Sequence, residues 1–160
     1  MRLSMESDNI DVTIERMTAQ IMAKVKKAVW ESGQGVKTQA QKNLRSNGSV
    51  DTGALWGSVT SEMSEDGLTA TVGTSMNLGA WVEFGSGPHG VSKEGQKAIE
   101  EWVNRKLGIA GPEGHSVAQA IVWKIRHEGQ KPKPWLYPAL ESEKSNIKER
   151  IQLAVQDGLK

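Results

Sequence analysis

The chain has 160 residues, 37% of them hydrophobic, with 20 basic and 19 acidic side chains and a formal net charge of +1. That length suits one ordinary domain, and the balanced charge argues against a dedicated nucleic-acid binder, which usually carries a basic excess. The absence of cysteine excludes disulfides, thiol catalysis and thiolate metal sites together. No apolar run approaches the ~20 residues of a membrane-spanning helix, and Met1 to Ile10 lacks the apolar centre of a secretory signal.

Residues 1–9 are polar and expected to fray, and Met5 offers a second start. From Ile10 a helical stripe runs through Ile14, Met17, Ile21, Val25 and Val29 in steps of three and four. Gly33 and Gly35 interrupt it at roughly 1 kcal/mol each relative to alanine. Val36, Ala40 and Leu44 keep the same phase, so one long helix is predicted, ending by Ser46-Asn47-Gly48. In Val50-Asp51-Thr52-Gly53-Ala54-Leu55, Asp51 or Thr52 is placed to cap a short helical turn.

Val59, Ser61 and Met63 then alternate with polar residues, as do Leu68, Ala70 and Val72, around Glu65-Asp66-Gly67. This predicts an antiparallel hairpin from about Ser58 to Gly73 with a tight Asp-Gly turn. Val59, Met63, Leu68, Ala70 and Val72 are expected to face the helices.

A short helical turn ended by Gly85 is predicted in Asn77–Gly87, followed by a loop at Gly87-Pro88-His89-Gly90. Ile99, Trp102, Val103 and Leu107 mark a helix stopped by Gly108 and a Gly111-Pro112 loop. Val117, Ile121 and Ile125 mark another, stopped by Gly129. Lys131-Pro132-Lys133-Pro134 must be extended, Trp135-Leu136-Tyr137 reads as an edge strand, and Pro138 suits the first turn of a last helix. That helix is predicted to bury Leu140, Ile147, Ile151, Ala154 and Val155. The expectation is a single α+β domain over 1–160: a long N-terminal helix, a small antiparallel sheet built on the hairpin, and further helices packed on it.

Catalytic signatures are scarce. His89, His115 and His127 share no helix-face spacing, and no metal or organic cofactor is expected. No serine sits in a G-x-S-x-G elbow, and the glycines near residues 85–90 fit neither a P-loop nor a dinucleotide fingerprint. Asp51 and Glu83 are the carboxylates that an acid–base pair would use, although lone carboxylates are more often caps or ion pairs. Lys24-Val25-Lys26-Lys27, and Lys131 with Lys133, read as solvated bases rather than a phosphate stripe.

Three segments in order carry a resemblance: Val50-Asp51-Thr52-Gly53-Ala54-Leu55 with Ser58-Val59, then Ala80-Trp81-Val82-Glu83-Phe84-Gly85-Ser86, then Pro134-Trp135-Leu136-Tyr137-Pro138-Ala139-Leu140. Together they resemble the gp-ten-like family of head–tail joining proteins of long-tailed phages and prophages. That family shows D-T-G-x-L with S-V/I, then an aromatic-alanine-x-x-V-E-F-G-T/S segment, then P-F-L-x-P-A-L before a C-terminal helix. Trp81, Ser86 and Trp135 depart from the usual residues at their positions but keep the aromatic or hydroxyl character.

The resemblance implies a virion structural protein of the neck, assembled in the bacterial host cytoplasm, with no enzyme activity and no cofactor. It implies self-association into a ring, hexameric in the family, between connector and tail proteins, with tail termination and head closure as neighbouring jobs. Its motif residues here are Asp51, Thr52, Gly53, Leu55, Trp81, Glu83, Phe84, Gly85, Pro134, Trp135, Tyr137 and Pro138. Glu83-Phe84-Gly85 is expected to anchor one aromatic and end a helical turn, Pro134–Pro138 to present an extended edge where a neighbouring subunit can add a strand, and Lys131–Pro138 to take part in the subunit contact or lie beside it. The competing readings are a nucleic-acid-binding module touching phage DNA in transit and a small hydrolase using Asp51 or Glu83. No membrane partner is expected.

Overall fold

The structure is a computed structural model that describes the backbone of residues 7–160 and side chains from Val12 onwards. The chain is α+β, with a long N-terminal helix, a two-stranded antiparallel sheet and further helices. The elements are α1 (Ser7–Ser46), α2 (Ala54–Gly57), β1 (Thr60–Met63), β2 (Ala70–Gly73), α3 (Asn77–Phe84), α4 (Lys93–Leu107), α5 (Gly111–Glu128) and α6 (Tyr137–Gly158). No helix among the described residues is long and apolar enough to cross a membrane.

The chain divides into two compact units. The first contains the described part of Met1–Ala40, with Thr60–Gly73 and Ala139–Lys160. In it α1 runs unbroken through Gly33 and Gly35, and both glycines have steric reasons. A side-chain carbon at Gly33 would lie 2.9 Å from Ala70 Cβ, so the hairpin approaches the helix backbone there. One at Gly35 would lie 3.1 Å from both Glu143 Oε2 and Arg150 Nη1. The cost of glycine in a helix is thus offset by close packing. The buried line of α1 in this unit is Ala28, Ser32, Val36 and Ala40, with the Ser32 hydroxyl donating to the Ala28 carbonyl at 2.7 Å. Ile14 and Met17, predicted to share that stripe, are exposed, and Ile10 lies outside the residues whose side chains are described.

The hairpin pairs Ser61 with Val72 and Met63 with Ala70. These four are half-buried, and the residues between them are exposed. Leu68 departs from expectation: it is exposed, because it lies in the connection rather than in β2. The turn differs too. The Gly67 amide donates to the Ser64 carbonyl at 2.9 Å, and Gly67 at φ 71° is its only left-handed residue. A two-residue Asp-Gly turn needs positive φ at both positions. Asp66 instead accepts from the Leu68 amide and the Ser64 hydroxyl, which favours a four-residue connection. In α6 the inward line is Ala139, Glu143, Ile147, Arg150 and Ala154, so Leu140 and Val155 are more exposed than predicted. The Glu143–Arg150 pair takes the place that an apolar stripe would have put there.

The second unit contains Gln41–Val59 and Thr74–Pro138. Here α4 and α5 pack as a pair, burying Val103, Ala118, Val122 and Ile125. The Ser92 hydroxyl caps α4 by accepting from the Gly95 amide at 3.1 Å. Gly111-Pro112, expected in a loop, opens α5 instead: proline lacks the amide that a helix start leaves unpaired. The expected edge strand at Trp135–Tyr137 is absent. Trp135 and Leu136 are irregular, Tyr137 begins α6, and Pro138 falls in its first turn as predicted.

Candidate functional site

Within the second unit the three motif segments, the last of them as far as Pro138, meet around the Trp135 side chain. Leu55, on α2, is buried, and its Cδ1 and the indole Cζ2 would lie 3.5 and 3.4 Å from a side-chain carbon at Gly79; Gly53 caps α2 at φ 85°. Neither Asp51 nor Thr52 supplies a good cap; Thr52 Oγ1 reaches the Ala54 amide only at 3.4 Å. Ser58 joins this segment to the next, with Oγ 2.6 Å from Thr74 Oγ1 and 2.9 Å from the Leu55 carbonyl it donates to. Thr74 in turn accepts from the Met76 amide at 3.1 Å, ahead of α3.

On α3 the buried side is Gly79 and Glu83 with half-buried Val82, and the other side bears Leu78, Trp81 and Phe84. The Trp135 indole Nε1 donates to the Gly79 carbonyl at 3.0 Å. A side-chain carbon at Gly79 would lie 2.4 Å from Thr74 Cγ2, so the Thr74 turn requires glycine here, while Trp135 Cζ2 would be in ordinary contact at 3.4 Å. Trp135 is 2% exposed.

Glu83 is the hinge-pin of the arrangement. Its Oε2 accepts from the amides of Trp135 (2.7 Å) and Leu136 (2.8 Å), and its Oε1 from that of Tyr137 (3.0 Å). Pro138, next in sequence, has no amide. One buried carboxylate thus takes three successive donors at the start of the 22-residue helix α6, where a negative charge also suits the helix dipole. The aromatic anchored by this motif is therefore Trp135. Phe84, expected to be the anchor, is 78% exposed, because it shares α3's outer side with Trp81.

The strap before Trp135 is bound internally at nearly every turn. Ser86 and Gln130 exchange amide-to-carbonyl bonds at 3.0 and 2.9 Å, the Lys133 amide donates to the Val82 carbonyl at 2.8 Å, and Asn43 and Asn47 donate to the carbonyls of Trp135 and Lys133. Gly85, at φ 73°, permits this, since a side-chain carbon there would lie 2.4 Å from the Gln130 carbonyl oxygen. With Pro132 and Pro134 lacking amides, no row of free groups is left for strand addition, and the expected docking edge gives way to an intramolecular clasp.

Asp51 has its own partners. Its carboxylate accepts from Arg105 Nε at 3.3 Å and Nη2 at 2.5 Å, and lies 4.0 Å from Lys106 Nζ. The Arg105 hydrogen bond, with help from both cations and against partial desolvation, holds it below its ordinary value of 3.8. A carboxyl lowered in the folded state adds stability above its unfolded pKa and loses it as pH falls through the folded one. Acidification through and below the ordinary aspartate range should therefore release residues 50–52 from α4. The effect is small because the pair is exposed. Comparing thermal midpoints at neutral and acid pH checks it: Asp51→Asn should lose less on acidification than the unmodified chain, and equal losses would contradict it.

Asp51 and Glu83 are thus engaged separately, each with its own partners. His89 Nδ1 faces the Gly87 carbonyl at 2.9 Å, His115 pairs with Glu100, and His127 stacks on Trp123 at 4.3 Å between centroids. Among the described residues no three His, Asp or Glu side chains gather as metal ligands would. An open recess of about 310 Å³ is lined by Trp81, Ser86, Gly87, Pro88 and His89. In the first unit the basic cluster is divided: Lys24 donates to the Asp157 carbonyl, Lys26 lies along Gly67, and Lys27 pairs with Glu31. Arg105, a partner that sequence reasoning missed, lies on the polar side of α4, where no periodicity marks it. No family model matches the chain, and no curated protein or solved structure matches it either.

Proposed function

We propose that the chain is a structural subunit of a tailed bacteriophage's head–tail junction, a neck or tail-completion protein that works by assembling into a ring and not by catalysis. The observation that carries this reading is the convergence of the three motif segments on one clasp. Their polar groups hold backbone: Glu83 binds three amides, Ser58 ties α2 to the Thr74 turn, and Trp135 Nε1 binds the Gly79 carbonyl. Such a centre needs no substrate to account for its residues. Around it Trp81, Phe84 and Tyr137 are 56%, 78% and 65% exposed, an apolar surface of the kind that marks protein contacts.

The test is deletion of the coding gene from the phage or prophage that carries it. Electron microscopy of the lysate should find filled heads and finished tails lying separate, and joined particles in normal numbers would end the reading. The mass of the purified chain in solution, with and without tail-tube protein, then measures assembly directly.

Tyr137→Ala gives a finer check. The ring is exposed, so folding should be unaffected, while an aromatic hot spot is worth about 2 kcal/mol at an interface. The expected loss of tailed infectious particles is about tenfold or more, and an unchanged yield would remove Tyr137 from the contact.

A further inference from the structure

Two surfaces of this chain lack cover, and they differ in shape and charge. The first is the stretch of α1 from Val12 to Met17. Its apolar line is covered as far as Ile21, where Gly158 at the end of α6 packs so closely that a side-chain carbon would lie 2.6 Å from Ile21 Cγ1. Beyond that point Met17 and Ile14 continue the line at 36% and 56% exposure. Ser7 to Ile21 spans roughly 21 Å of helix. In sequence, Ser7–Met17 holds Asp8, Asp11 and Glu15 against Arg16 alone, a net charge of −2.

The second is the outer side of α3, where Trp81 and Phe84 stand 56% and 78% exposed beside the clasp. Glu83, the only acid between residues 74 and 91, is buried and bound to amides. The strap across the end of α3 adds Lys131 and Lys133, both exposed and without an ion-pair partner among the described residues. The patch is therefore aromatic and positive, whereas the arm is aliphatic and negative.

We propose that these surfaces bind each other between copies: Ile14 and Met17 of one copy dock on Trp81 and Phe84 of the next, with the net negative charge of the arm drawn to Lys131 and Lys133. Two unlike patches on one chain form a head-to-tail contact, which propagates and closes into a ring when the rotation allows. The inference names the interface of the assembly proposed above and rests on that reading. Charge complementarity sets which copies meet and in what register; the apolar contact supplies affinity.

The test uses the full chain, with its mass in solution followed up to the solubility limit, alone and as Ile14→Asp and Phe84→Asp. Both residues are exposed, so the variants should keep the unmodified chain's circular dichroism and thermal midpoint. The unmodified chain should associate with rising concentration, and each variant should bind itself at least about tenfold more weakly. Mixing the two variants should then give a dimer and nothing larger, because one intact arm meets one intact patch.

A chain that stays monomeric to the solubility limit overturns the contact. So does association of either variant at the unmodified strength, or a mixture that remains monomeric; these point to self-paired surfaces or to other residues. Association that appears only with added tail-tube protein and is lost in Phe84→Asp would give the patch a different occupant. None of these touches the neck reading itself, which stands or falls on head–tail joining in the deletion phage.

Discussion

Replacing Glu83 by alanine should destabilise the chain by about 3–5 kcal/mol, the range expected when a buried carboxylate is removed from several amides at once. The side chain is 7% exposed, and its two oxygens accept from three successive amides, all within 3.0 Å. Alanine leaves those donors facing a small cavity at the head of α6. For a chain of this length the thermal midpoint should fall by about 10 °C. Glu83→Gln separates charge and geometry from bulk. Its carbonyl oxygen can replace Oε2 and keep two amides, but its NH2 then points a donor at the Tyr137 amide. About 2 kcal/mol should be lost, despite nearly unchanged volume. If both variants melt within a degree or two of the unmodified chain, the clasp is not what holds α6.

That clasp also marks the limit of what was legible in the sequence. The long helix could be read through Gly33 and Gly35 because Val36, Ala40 and Leu44 stay in phase, and phase depends on local spacing alone. The hairpin was legible for the same reason, from its period of two. Its turn was not, since Asp-Gly suits two connections and the Asp66 carboxylate decides between them by capping Leu68. Trp135-Leu136-Tyr137 looked like an edge strand because aromatics alternate there between prolines. What makes Tyr137 helical is a carboxylate more than fifty positions earlier, and no periodicity encodes it. Spacing alone turns Leu78, Trp81 and Phe84 inward, whereas the inward side of α3 is the one that carries Glu83, because that carboxylate finds three amides there. The pairing of Asp51 with Arg105 joins a loop to a helix's polar side, and neither end carries a pattern.

Trp135→Ala should cost about 4 kcal/mol and lower the midpoint by about 10 °C, because it empties the space at which the three motif segments meet. The indole is 2% exposed, lies against Gly79, and is tied through Nε1 to the Gly79 carbonyl. Alternation between the prolines sets Trp135 beside Tyr137 as a contact residue on an assembly edge. Burial moves it into the framework, so lost head–tail joining in Trp135→Ala would report unfolding, while the same loss in Tyr137→Ala would report a surface. Trp135→Phe distinguishes packing from the hydrogen bond. Phenylalanine keeps one ring over Gly79, loses the second ring and leaves the carbonyl without the indole donor, which should cost about 1–2 kcal/mol. Equal midpoints for Trp135→Ala and Trp135→Phe would show that the ring does not fill the site. A Trp135→Ala protein as stable as the unmodified chain would remove Trp135 from the core and return it to the surface.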